Sequence, residues 1–158
     1  MKNKWAVAAF VACTAFVSAR LVSAGDSLYG KVTEVKSADT VLFDYGRGTY
    51  VVHLIGVVAS EGRTATQARD FVAKMVQGKG ARVRLGSFNA NREMYARLLA
   101  DDPKTGVRDV GLELVRAGLA QRQPGQDYQF DYKYNELSTA QREAQRAQRG
   151  LWATNQLN

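Results

Sequence analysis

Between residues 28 and 55 the chain reads LYGKVTEVKSADTVLFDYGRGTYVVHLI, in which short apolar runs alternate with polar positions and turn residues. Three of these runs, residues 28–35, 40–45 and 49–55, are rich in β-branched and aromatic side chains and read as strands. Ser37-Ala38-Asp39 and Gly46-Arg47-Gly48 supply the turns between them, so the pattern predicts a β-meander. Gly56 ends the third run, and Val57-Val58-Ala59-Ser60 leads to a lone carboxylate, Glu61.

The period then changes from two to 3.6. Ala68, Phe71, Val72 and Met75 fall at i, i+3, i+4 and i+7, which predicts a helix over residues 64–77 with those four on its buried stripe and Gly78 closing it. Alternation returns at 81–85, where Val83 and Leu85 interleave with Arg82 and Arg84, and again at 94–100 with Tyr95, Leu98 and Leu99. The polar run Asp101-Asp102-Pro103-Lys104-Thr105-Gly106 forms a hairpin tip. Asp109 caps a short helix over 110–117, closed by Gly118. A last helix is expected over 132–149, with Leu137, Ala140, Ala144 and Ala147 on one side and Trp152 pinning it to the barrel. Five short strands with a helix between the third and fourth and helices after the fifth describe an α+β, mainly β, chain. The expected fold is a five-stranded OB-type β-barrel with three appended helices.

The first residues change the picture of where this domain works. Lys2 and Lys4 precede a thirteen-residue apolar run, and Val22-Ser23-Ala24 fits the small-x-small pattern of signal cleavage. A run this short falls below the ~20 residues of an ordinary membrane span. Residues 1–24 are therefore expected to be a signal peptide, with residues 25–158 as a single exported domain in the periplasm or outside the cell. Val17-Ser18-Ala19 offers an earlier cut, and an uncleaved anchor is the alternative. Cys13, the only cysteine, lies in this segment, so the domain carries no thiol and no disulfide. Of 22 basic residues, Lys2, Lys4 and Arg20 fall there; 19 remain against 15 acidic, a net +4 that suits a polyanionic partner.

Few chemistries survive this composition. One histidine excludes a multi-His metal site, and the absence of cysteine beyond residue 24 excludes zinc-thiolate and thiol catalysis. The glycine loops that cradle phosphates are absent, and no small-molecule cofactor is expected. What stands out is His53 and Glu61, delivered by one strand and its continuation to the same end of a small barrel. A histidine in an apolar strand serves packing as readily as chemistry, and Glu61 would also favour the start of the next helix. Tyr128, Phe130, Tyr132 and Tyr134 read either as a base-stacking cluster or as packing for the last helix.

Taken in order, Asp39-Thr40, HLIGVVASE at 53–61, Tyr95-Ala96-Arg97, LELVRAGLA at 112–120 and Gly150-Leu151-Trp152 make the chain resemble the staphylococcal-nuclease-like (thermonuclease) domains. The likeness runs from about residue 28 to 152. In that family calcium polarises a phosphodiester of DNA or RNA, a glutamate activates water, and two arginines stabilise the charge that develops. The resemblance implies Asp39 as a metal carboxylate, Glu61 as general base, and Arg97 as one phosphate clamp, with Tyr95 beside it on the nucleic acid.

The departures from the family pattern shape the expected function. His53 stands where an arginine is usual, Val58 where the second calcium carboxylate falls, and Ser60 where a proline precedes the glutamate. The aspartate-rich turn of the family is Ser37-Ala38-Asp39-Thr40. Calcium takes six to eight oxygens, and valine offers none from its side chain. Neutral histidine supplies one donor in place of a charged fork. Losing one preorganised transition-state donor costs about 10²–10³ in rate. The implied function is nucleic-acid binding with weak calcium affinity and weak or lost nuclease activity. The alternatives are a working calcium-dependent nuclease and a non-catalytic protein-interaction scaffold.

Overall fold

The computed structural model describes residues 27–59, 61–125 and 135–153. The expected signal segment, Ser60, and the aromatic residues Tyr128, Phe130, Tyr132 and Tyr134 lie outside the described residues.

The meander forms as the alternation predicts: β1 (Ser27–Val35), β2 (Thr40–Asp44) and β3 (Thr49–Leu54) pair antiparallel. Val32, Val41, Phe43 and Val52 turn inward and are fully buried. A bulge between Val32 and Glu34 bends β1 so that it can leave β2 and pair with β5 (Gly80–Phe88). Gly30 lies two residues before the bulge, where a Cβ would overlap the backbone at Asp44 and the ring of Phe43. β5 pairs with β6 (Glu93–Asp102), and a parallel pairing of β3 with β6 closes the sheet in the order β3-β2-β1-β5-β6. That closed five-stranded barrel with its helices is the OB-type α+β fold.

Three strands were too short to read from the pattern. β4 (Val57–Ala59) pairs with β8 (Ala120–Arg122), tying the segment after β3 to the chain beyond the second helix. β7 (Gly106–Asp109) extends β6 through the expected hairpin tip, where Asp102 Oδ1 accepts from the backbone N–H of Lys104 at 2.7 Å and Thr105 at 3.1 Å.

The helix α1 (Arg63–Val76) buries Thr64, Ala68, Val72 and Val76, one i+4 row centred slightly differently from the expected stripe. Phe71 and Met75 sit half-buried at the edge of that row. The helix α2 (Val110–Arg116) packs on α1, β6 and α3. The helix α3 (Glu136–Arg146) is shorter than expected among the described residues; Leu137, Ala140 and Ala144 face inward, and Ala147 is exposed just past its end. A closing turn, Gly150–Trp152, returns to α2: Leu151 N–H donates to Gly118 O at 2.8 Å. Both glycines have positive φ, 71° at Gly118 and 52° at Gly150, and a Cβ on either would overlap the other segment's backbone. Trp152 is half-buried there, as the pinning role requires, though its buried Nε1 has no acceptor among the described residues.

Candidate nucleic-acid interface

Register on the closed barrel decides which side chains meet. Thr40 lies opposite His53 across β2–β3, His53 opposite Tyr95 across β3–β6, and Tyr95 opposite Ser87 across β5–β6. Because neighbouring side chains alternate across a sheet, these four share the outer wall while Val52, Met94 and Ala96 fill the interior. The sequence thus writes one polar row around the barrel.

The row is held by hydrogen bonds and a ring stack. Ser37 Oγ donates to Asp39 Oδ1 at 2.6 Å, and Thr40 Oγ1 donates to the same oxygen at 3.1 Å. Thr40 Oγ1 also lies 3.3 Å from His53 Nδ1. A hydroxyl has one proton, and an ionised carboxylate only accepts. With that proton given to Asp39, the hydroxyl oxygen accepts from His53 Nδ1–H, which leaves Nε2 of the neutral ring as an acceptor. The backbone of Asp39 is clipped to the end of β3 by Leu54 N–H donating to its carbonyl at 2.8 Å. On its other side the His53 ring stacks on Tyr95, centroids 5.0 Å apart at 25°, and Tyr95 is 41% exposed. Asp39, His53 and Tyr95 are therefore brought together, with Thr40 as a link that residue-by-residue matching did not single out.

Arg97 and Glu61 sit differently. Arg97 is two residues along β6 from Tyr95 on the same wall, and its Nε donates to Asp109 Oδ2 at 2.7 Å. Their side chains are only 14% and 5% exposed. Asp109 faces Leu99 across β6–β7, so Arg97 reaches it along the diagonal of the ladder. Asp109 was legible as a helix cap, which it is, but not as the partner of Arg97. Glu61 lies exposed two residues before α1, with no hydrogen bond or ion pair among the described residues. Val58 is 47% exposed on β4.

These residues test whether the site fits calcium. Among the described residues no three His, Cys, Asp or Glu side chains cluster to hold a metal ion. Asp39 is a lone carboxylate whose Oδ1 already takes two hydroxyl donors. That set does not fit an ion that takes six to eight oxygens. The row offers instead a stacking ring, an imidazole acceptor and hydroxyls, groups that contact a sugar, a base or a phosphate without a metal.

A closed OB-type barrel with a polar and aromatic row on its outer wall defines a barrel of the oligonucleotide-binding architecture. Residues 52–154 match the staphylococcal nuclease homologue family, and the chain belongs to that family. No curated protein matches it. The match supports a nuclease-family domain with a nucleic-acid partner, in a family that is in general calcium-dependent.

Proposed function

We propose that this protein is an exported domain that binds nucleic acid through its outer barrel wall and has weak or no phosphodiesterase activity. The observation that carries this reading is the Asp39–Thr40–His53–Tyr95 row, which bonds and stacks but gathers only one carboxylate among the described residues. Tyr95 supplies a ring face for a base. His53 accepts a hydrogen bond when neutral and, once protonated, donates to a phosphate oxygen. Arg97 stands on the same wall with its guanidinium anchored to Asp109. With one carboxylate in the row among the described residues, calcium affinity is expected to be weak at most. Export follows from the leader-like residues 1–24, with Gly25 as the mature N-terminus.

A working calcium-dependent nuclease is the second reading, favoured by Glu61, which is exposed and uncommitted among the described residues. A calcium titration with single-stranded DNA, read for both binding and cleavage, separates the two. The expected result is binding that falls steeply between about 50 and 200 mM salt, as counterions are released, with little cleavage at any calcium concentration. Brisk calcium-dependent cleavage would establish the second reading; salt-insensitive binding, or none, would leave the scaffold.

A further inference from the structure

A second group of rings stands apart from the row. Tyr45, just past β2, Tyr50 on β3 and Phe88 at the end of β5 form a continuous aromatic group, with centroids 5.1 Å apart for Tyr45–Tyr50 and 5.8 Å for Tyr50–Phe88. The two tyrosine hydroxyls hydrogen-bond at 3.3 Å. That bond, with burial, raises the Tyr45 phenol above its usual value. Phe88 is 51% exposed, an unusual exposure for a phenylalanine joined to other rings.

The rings are flanked by cations in a fixed frame. Arg92 places its guanidinium carbon 5.9 Å from the Tyr50 ring centroid. Its Nη1 also lies close to Gly48, so it spans from the β5–β6 turn to the β2–β3 turn, which itself carries exposed Arg47. Asn89 locks the β5–β6 turn: its Oδ1 accepts from Asn91 N–H at 3.0 Å and Glu93 N–H at 3.1 Å, and its Nδ2 donates to Glu93 Oε2 at 2.7 Å. Val51 N–H donates to Arg92 O at 3.0 Å and docks that turn on β3. Arg92 is held at φ 60°, a left-handed conformation uncommon for a non-glycine residue. The nearby carboxylates are already used: Asp44 accepts from Gly46 N–H at 2.8 Å, and Glu93 holds Asn89. The patch therefore combines preorganised ring faces with two guanidinium groups, Arg47 and Arg92, while the Asp44 and Glu93 carboxylates are turned to the turns they hold.

We infer that Tyr45, Tyr50 and Phe88, flanked by Arg47 and Arg92, form a base-stacking subsite for single-stranded nucleic acid, distinct from the Asp39–His53–Tyr95 row. The subsite rests on the nucleic-acid reading above and extends it. Tyr50 lies three residues before His53 on β3, an odd spacing that turns its side chain to the face opposite His53, so the two groups of rings are separate surfaces. A single strand is the occupant the chemistry selects, because its bases offer unpaired faces to the rings and its phosphates meet both guanidinium groups.

The test is fluorescence anisotropy with the full domain, a labelled oligothymidylate and an abasic oligomer of equal length. Phe88→Ala is expected to weaken oligothymidylate binding about tenfold, leaving abasic-oligomer binding and the urea midpoint unchanged. Arg92→Asn, which tolerates the left-handed backbone, should weaken both oligomers and lower the salt slope by about one. If Phe88→Ala leaves oligothymidylate binding unchanged, or weakens both oligomers equally, the subsite is wrong and the nucleic-acid reading stands. If the unmodified domain binds neither oligomer, both fall.

Discussion

The Nε of Arg97 donates to Asp109 Oδ2 at 2.7 Å, while the other oxygen of the same carboxylate accepts from Leu112 N–H at 3.0 Å and caps α2. One aspartate thus joins the barrel wall to the helix that packs behind it, and Arg97, which the resemblance implies as a phosphate clamp, is part of that joint. A substitution of Arg97 therefore perturbs the joint as well as any phosphate contact.

Arg97→Ala is expected to destabilise the domain by about 3 kcal/mol, because it removes the guanidinium that offsets the charge of a buried carboxylate. Asp109→Ala should cost at least as much, since it removes the helix cap as well. Urea unfolding of both variants checks this. A loss below about 1 kcal/mol for Arg97→Ala would show that the pair is not a structural joint, and any binding defect would then report on phosphate contact directly.

The Gly118–Gly150 contact gives a sharper steric test. Alanine at either position meets both the left-handed penalty of about 1–2 kcal/mol and a backbone overlap. Gly46 also has positive φ, 86°, but opens onto free space. Gly118→Ala and Gly150→Ala should therefore destabilise by more than about 2 kcal/mol, and Gly46→Ala by about 1. Equal losses at all three positions would mean that the closing turn does not hold α2 and α3 together.

The β6–β7 turn carries a pH dependence of known sign. The backbone N–H groups of Lys104 and Thr105 lower the Asp102 pKa below its usual value. A depressed folded-state pKa means that the carboxylate supports the turn fully above its unfolded pKa of about 3.9, and that this support is lost as pH falls through the lower folded value. The Lys104 and Thr105 amide resonances should titrate together at that lower pH, and Asp102→Ala should remove the titration. A midpoint at or above the unfolded value would contradict the hydrogen-bonded turn.

The barrel was legible because period-two alternation carried through β1, β2, β3, β5 and β6, and a one-residue slip of a strand would turn Val41, Phe43, Val52 or Leu98 out of the core. The three-residue β4 and β8 were not, since three residues hold no period and their pairing joins positions more than 60 apart in sequence. The centre of the α1 stripe moved from Phe71 and Met75 toward Thr64 and Val76 because only tertiary packing selects among adjacent i+4 rows. At the site, residue types were readable but their partners were not. Thr40 joins Asp39 to His53 only through the β2–β3 register, and Asp109 reaches Arg97 only through β7. The Tyr45–Tyr50–Phe88 group lies on three elements, and nothing local in the sequence links Phe88 to the first two.

The last prediction concerns His53 and Val58, where the resemblance implies an arginine and a second calcium carboxylate. Val58 is exposed on β4, so Val58→Asp introduces a carboxylate without burying a charge. His53→Arg gives up the Thr40 link, but the new guanidinium would stand beside the Tyr95 ring on which His53 now stacks, where a cation is welcome. The first change should raise calcium affinity, read by calorimetry without any substrate. The second should restore a forked phosphate donor. Both act on one transition state, so their effects are not expected to add. Each single variant should change calcium-dependent DNA cleavage little, and the double variant should raise it by about 10² or more. Glu61→Gln on the double background should then abolish the gain, because the base that activates water would be missing. A folded double variant that binds calcium yet stays inert would show that Glu61 and Arg97 do not converge on a phosphate. Full activity in the unmodified protein would show instead that the site never lost what these substitutions are meant to return.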